Sequence, residues 1–226
     1  MSVIQTFLSN MLTLEISEKI RDCGVIAVIA IDDAKDALPM ASALQKGGIS
    51  VIELTLRTPA AIDSIQIISE ELPAITIGAG TVLTCDQANQ ALSAGAQFAV
   101  APGLNPKVVR HCQSIGLPFA PGVMTPSDIE LSIELGCKTM KLFPAESIGG
   151  INTLNTMSAP YRHLGIKFIP LGGLNQNNMG TYLQSPLVEA IGGSWIAKQE
   201  TISAKDWNAI EASALAASSV VKKLRK

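Results

Sequence analysis

The chain has 226 residues, 47% apolar and only 16% charged, which bounds it to one large or two small domains with a substantial core. Its net charge of −2 leaves no basic footprint for nucleic acid beyond the terminal KKLRK, which suits the solvated last turn of a helix. Mean hydropathy is high at +0.32, yet no apolar run approaches the roughly 18 to 20 residues of a spanning helix, so neither membrane nor nucleic acid is an expected partner.

Cys23, Cys85, Cys112 and Cys137 lie far apart and form no CxxC pair, which argues against a zinc site or a redox dithiol. His111 and His163 are the two histidines, and neither has a second histidine at metal spacing, so no metal and no cofactor are expected. With no basic region and apolar core at the N-terminus, the expected location is the cytoplasm.

Ile4, Phe7, Leu8, Met11, Leu12, Ile16 and Ile20 recur at three- and four-residue steps and predict a helix over 3–22, stopped by Gly24 and placed to cap one end of the fold. One pattern then repeats. GVIAVIAI (24–31) precedes an amphipathic stretch ending at Gly47-Gly48, and SVIELTLR (50–57) precedes a helix opened by Thr58-Pro59 as cap and first turn. ITIGAG (75–80), QFAVAPG (97–103) and LPFAPG (117–122) each run into a helix, the last two over 105–115 and 126–135. CKTMKLFPAE (137–146) reads as a strand closed by Pro144. After a longer connection come KFIPLGG (167–173) with a helix at 178–183, then VEAIGGSW (188–195) with a last helix from Ala204 to about Leu224.

Eight strands alternating with helices imply a parallel sheet with right-handed crossovers. The expected fold is α/β, a (β/α)8 TIM barrel over 24–226 with an additional N-terminal helix over 1–23, all in one domain; a doubly wound open sheet is the alternative. No strand opens onto a full GxGxxG turn, IGAGT (77–81) being only a fragment. Polar residues also take the inner-facing parity of more than one strand, which needs a shared interior.

Two strands carry that parity. In SVIELTLR, Ile52, Leu54 and Leu56 share one face, and Glu53, Thr55 and Arg57 the other. In the lysine strand, Lys141 shares a face with Thr139 and Phe143, while Lys138 points away with Met140 and Leu142. A buried ammonium must lose its proton or find a carboxylate, and the first condition makes lysine a nucleophile towards carbonyls. The bland readings are an amine that snorkels to water and a structural Glu53–Arg57 ion pair. Glu53 meeting Lys141 across a barrel favours chemistry. Leu171-Gly172-Gly173 and Gly192-Gly193-Ser194 end the last two strands, where barrel enzymes hold phosphate against backbone N–H groups, although either pair alone also suits a turn. Thr81 is either a ligand to a carboxylate or a helix cap, and Trp195 either packs or walls a site.

IELTLR (52–57), GAGTVL (78–83), APGLNP (101–106), KLFPAE (141–146), GGLNQNN (172–178) and IGGSW (191–195) resemble, in order and context, the bacterial 2-keto-3-deoxy-6-phosphogluconate (KDPG) and 4-hydroxy-2-oxoglutarate (KHG) aldolases. The similarity spans about residues 15 to 215. It implies a metal-free class I aldolase on a (β/α)8 barrel, acting on a small 2-keto acid and assembled as a homotrimer. It further implies that Lys141 is the Schiff-base lysine and Glu53 the general acid/base. Arg57 and Thr81 would bind the pyruvyl carboxylate, Pro102 and Phe143 would contact substrate, and Gly172, Gly173, Gly193 and Ser194 would form the phosphate site. One position departs: the family often has Thr before the first glycine pair, where this chain has Leu171 and no hydroxyl. A 2-oxo-diacid decarboxylase using the same iminium and a non-catalytic sugar-phosphate binder are the rival functions.

Overall fold

The computed structural model describes residues 14–225. Among the described residues, short apolar runs form nine strands: β1 (Val25–Ile29), β2 (Val51–Thr55), β3 (Thr76–Gly80), β4 (Phe98–Val100), β5 (Phe119–Ala120), β6 (Gly122–Val123), β7 (Thr139–Leu142), β8 (Lys167–Pro170) and β9 (Ile191–Gly193). They pair in parallel in two ladders, β5-β4-β3-β2-β1-β9 and β6-β7-β8.

The expected fifth strand is thus divided in two. Pro121 sits at the break, where it has no N–H to offer the ladder. Its carbonyl still accepts from the Lys141 N–H at 2.8 Å, which holds the two ladders together there. On the opposite side Val188 bridges Phe168, and Glu189 N donates to Phe168 O at 3.0 Å. The ring closes on both sides, and the open sheet is excluded.

The described helices are α1 (Leu14–Cys23), α2 (Ala37–Lys46), α3 (Ala61–Glu71), α4 (Cys85–Ser93), α5 (Pro106–Ser114), α6 (Pro126–Glu134), α7 (Gly150–Ser158), α8 (Met179–Leu183), α9 (Gln199–Ser203) and α10 (Trp207–Leu224). Of the helix expected over 3–22, residues 3–13 lie outside the described residues. Thr84 and Thr125 start α4 and α6 with reciprocal capping boxes to Gln87 and Asp128. Thr58 is not a cap. Helix α3 begins at Ala61, and the Thr58 hydroxyl instead donates to Ile31 O at 2.5 Å, joining the loops after β1 and β2. The last helix starts later than expected because Lys205 takes a left-handed turn (φ 56°), after which Asp206 accepts from Ala209 N and opens α10.

Strand alternation sorts the core into two layers. Ile52, Leu54, Met140 and Leu142 pack outward on the helices, while Ile26, Val51, Phe98, Val100 and Ile169 fill the barrel interior. Ile16 and Ile20 of α1 join the interior cluster, so α1 plugs the end where the strands begin. Completely buried, Ile20 contributes roughly 1.5–3 kcal/mol. Phe98 fits only because its neighbour is glycine: a Cβ on Gly78 would lie 2.3 Å from its ring. With one end filled, the other end of the barrel is left for a site.

Candidate active site

Glu53 and Thr55 are the inward polar residues of β2, and Thr139 and Lys141 those of β7; all four are buried. Lys141 Nζ donates to Glu53 Oε1 at 3.1 Å, with side chains 7% and 1% exposed. The second oxygen, Glu53 Oε2, is buried with no hydrogen-bond partner. A buried carboxylate oxygen without a protein partner is open to a hydrogen bond from a molecule in the pocket. Gly80, on the adjacent strand, leaves room for the carboxylate, since a Cβ there would lie 2.1 Å from Glu53 Oε1. Lys141 Nζ also sits 5.7 Å from the centroid of the Phe143 ring, an apolar wall that still tolerates a cation.

The pair opens onto a pocket of about 180 Å³. Arg57 reaches it from the turn after β2. Its Nε donates to Thr55 Oγ1 at 3.0 Å, and that hydroxyl donates to Ile29 O at 2.9 Å, which anchors the guanidinium to β1. Thr81 lines the pocket in a left-handed conformation (φ 59°), a strain of about 1–3 kcal/mol for a β-branched residue. Pro102 lies against Gly122, where a Cβ would sit 2.2 Å from the proline carbonyl. Phe143, Gly172 and Ser194 complete the expected residues that line this pocket.

Two expected residues do not line it. Gly173 turns its bare Cα towards Glu146, and Gly193 towards the Trp195 ring, which would lie 1.8 Å from a Cβ. The pocket wall is formed instead by Gly172 and Gly192, together with Val28, Thr55 and Leu171. Thr55 shares the inward parity of Glu53, a visible signal. Val28 on β1 follows the same rule, but an apolar residue there does not announce itself. A larger outer cavity, about 540 Å³, adjoins at Val28, Arg57 and Ser194 and is walled by Trp195. His111 instead meets Asn89 Oδ1 at 2.9 Å on the surface. Among the described residues no three His, Cys, Asp or Glu side chains form a group able to hold a metal ion, and no helix is long and apolar enough to cross a membrane.

A family model for KDPG and KHG aldolase matches residues 16–213. The chain belongs to that family. It is 43% identical over 198 residues to the 2-dehydro-3-deoxy-phosphogluconate aldolase of Haemophilus influenzae, covering 88% of this chain and 92% of the relative. It is 39% identical over 186 residues to the KHG/KDPG aldolase of Escherichia coli K12, covering 82% and 86%. Among solved structures, the KDPG aldolase of Legionella pneumophila, with pyruvate captured as a covalent carbinolamine, matches with a TM-score of 0.85 and 38% identity over 88% of this chain and 96% of that one. The Zymomonas mobilis KDPG aldolase with 3-phosphoglycerate matches with a TM-score of 0.82 and 37% identity over 90% and 94%. As a KDPG/KHG aldolase the chain is an aldehyde-lyase.

Proposed function

We propose that Lys141 forms a Schiff base with the C2 carbonyl of KDPG or KHG and that Glu53 moves the protons of the cleavage. The carrying observation is the buried 3.1 Å contact between the two side chains, at the head of a pocket that also holds an arginine. Only an unprotonated amine attacks a carbonyl, and Glu53 is in place to take the proton. Lys141 Nζ bonds to C2, and Glu53 gives its proton to the carbinolamine hydroxyl, which leaves as water to give the iminium and restores the carboxylate. Glu53 then accepts the C4-hydroxyl proton, directly or through one water; the C3–C4 bond breaks and its electrons pass into the enamine. Glyceraldehyde 3-phosphate or glyoxylate departs. Glu53 returns a proton to C3, and water hydrolyses the imine to release pyruvate and the free amine.

Arg57 grips the substrate carboxylate by a two-point fork, assisted by Thr81, so that C2 faces the amine. The Gly172 and Ser194 end takes whatever extends beyond C4, with Leu171 supplying an apolar wall rather than a hydroxyl. Pyruvate captured as a carbinolamine in the Legionella relative and 3-phosphoglycerate present in the Zymomonas relative support both halves of this reading. Residues 24–226 are read as one barrel domain, and the resemblance implies a homotrimer, which light scattering on the purified chain tests.

The deciding experiment is borohydride trapping with pyruvate followed by peptide mass spectrometry. A reduced pyruvyl adduct on Lys141 is expected. A folded enzyme with Lys141 unmodified removes the Schiff-base reading.

A further inference from the structure

We infer that Glu146 and Tyr182 are positioning residues that hold the Leu171–Gly173 turn in shape and so set the fit of the substrate beyond C4. This rests on the reading that the Gly172 end of the pocket receives that part of the substrate.

The turn has little rigidity of its own. Gly172 and Gly173 are both left-handed (φ 94° and 85°), a conformation glycine enters freely and leaves as freely. Its shape is imposed from behind. Past the end of β7, Ala145 N donates to Leu171 O at 2.7 Å and Glu146 N to Gly172 O at 3.0 Å, extending the ladder two residues beyond the strands. Gly173 then rests on the Glu146 side chain, whose Cβ and Cγ would lie 2.6 and 2.8 Å from a Cβ on the glycine.

The Glu146 side chain is therefore the surface on which the turn is moulded, and one contact locks it. The Tyr182 phenol, on α8, donates to Glu146 Oε1. Tyr182 is buried (1% exposed), so the donor comes from a fixed point of the core. Gly150, the first residue of α7, seats both groups: a Cβ there would lie 3.0 Å from Glu146 Oε1 and 3.1 Å from Tyr182 Oη. Burial, and next the bond to Glu146, push the phenol up from its ordinary range, so it remains a donor at working pH. Neither residue lines the pocket.

The test is steady-state cleavage of KDPG and of the shorter, unphosphorylated KHG by Tyr182→Phe and Glu146→Gln. Loss of a hydrogen bond to a charged acceptor should raise KM for KDPG about tenfold in Tyr182→Phe, with kcat within about twofold of wild type and KM for KHG unchanged. Glu146→Gln keeps an oxygen to accept from the phenol and should stay within about twofold of wild type on both substrates. The inference is overturned if Tyr182→Phe shifts KM for both substrates alike or for neither. Equal damage from Glu146→Gln, or a wild-type enzyme that turns over KHG alone, overturns it as well. Pyruvate trapping on Lys141, run on wild type and both variants, separates the cases: a wild type that fails to trap removes the Schiff-base reading, whereas a Tyr182→Phe variant that traps normally with unchanged KM for KDPG removes only the positioning role.

Discussion

Glu53 presents one oxygen to Lys141 and buries the other without a protein partner. Replacing it by Gln keeps the shape and removes the base. Glu53→Gln should still yield a borohydride-trapped pyruvyl adduct on Lys141 while kcat for cleavage falls by roughly 10²- to 10⁴-fold. Loss of both activities to the same degree would place Glu53 in imine formation rather than in the aldol step. The cysteines make a second residue-level case. Burial pushes the thiols of Cys112 and Cys137 up to about 12, whereas Cys85 is partly exposed. Titration of the native protein with a thiol reagent near pH 8 should modify Cys85 and leave those two untouched until denaturant is added. The inward facing of Glu53 and Lys141 was legible because strand parity is local: once Ile52 and Leu54 face out, Glu53 must face in. The glycine pairs were less so, because a residue without a side chain carries no mark of its facing: Gly172 and Gly192 line the pocket where the expectation named Gly172, Gly173 and Gly193.

Strand β3 is the element that makes room for the others. Gly78 and Gly80 both point inward, one beneath the Phe98 ring and one beneath the Glu53 carboxylate. The same substitution should therefore do opposite things at the two positions. Gly80→Ala meets the flexible end of a side chain, which can swing aside; melting should change little while kcat falls, because the displaced oxygen is the one that meets Lys141. Gly78→Ala meets a buried ring with nowhere to go and should cost about 1–3 kcal/mol in stability. Thermal melts and kcat measured together check both outcomes. The sequence shows glycines in a strand, which signals close approach, but what approaches depends on the β2–β3 and β3–β4 registers. Pro121 is a similar case. A proline inside an apolar run foretells a break, and only the paired neighbours reveal that its carbonyl still joins the ladders. Thr58-Pro59 had the composition of a helix start, and a tertiary hydrogen bond to Ile31 outcompeted it.

At the scale of the barrel, the plugged end holds a carboxylate in an unfavourable place. Glu189 is buried next to Thr139, whose hydroxyl donates to it at 3.0 Å, and near Ser17, Arg21 and Lys167. Burial dominates and pushes its carboxyl above the usual carboxylate range, while the two hydroxyls and the two cations pull it back. A folded-state value raised above the unfolded one gives a contribution that is fully present below the unfolded value and is lost as pH rises through the folded one. Glu189→Gln should therefore raise Tm near pH 7, and the gain over wild type should vanish below about pH 4.5, as scanning fluorimetry across that window can measure. The closed barrel was legible from eight strand–helix repeats and from polar residues on inward faces. The charge in the plug was not, because VEAIGGSW reads as an ordinary strand and nothing local tells Glu189 that Thr139 and Ser17 will meet it.

The pairing of β9 with β1 has a bearing on how the chain is made. Val25, Ile26 and Ala27 lie alongside Ile191, Gly192 and Gly193, so one edge of β1 has no neighbour until residue 191 has been synthesised. During translation that edge stays open for most of the time spent on the ribosome, and an open strand edge is a surface on which chains pair with one another. A chain ending before Ile191 should therefore aggregate more readily than the full chain, as turbidity of the two at equal concentration would measure.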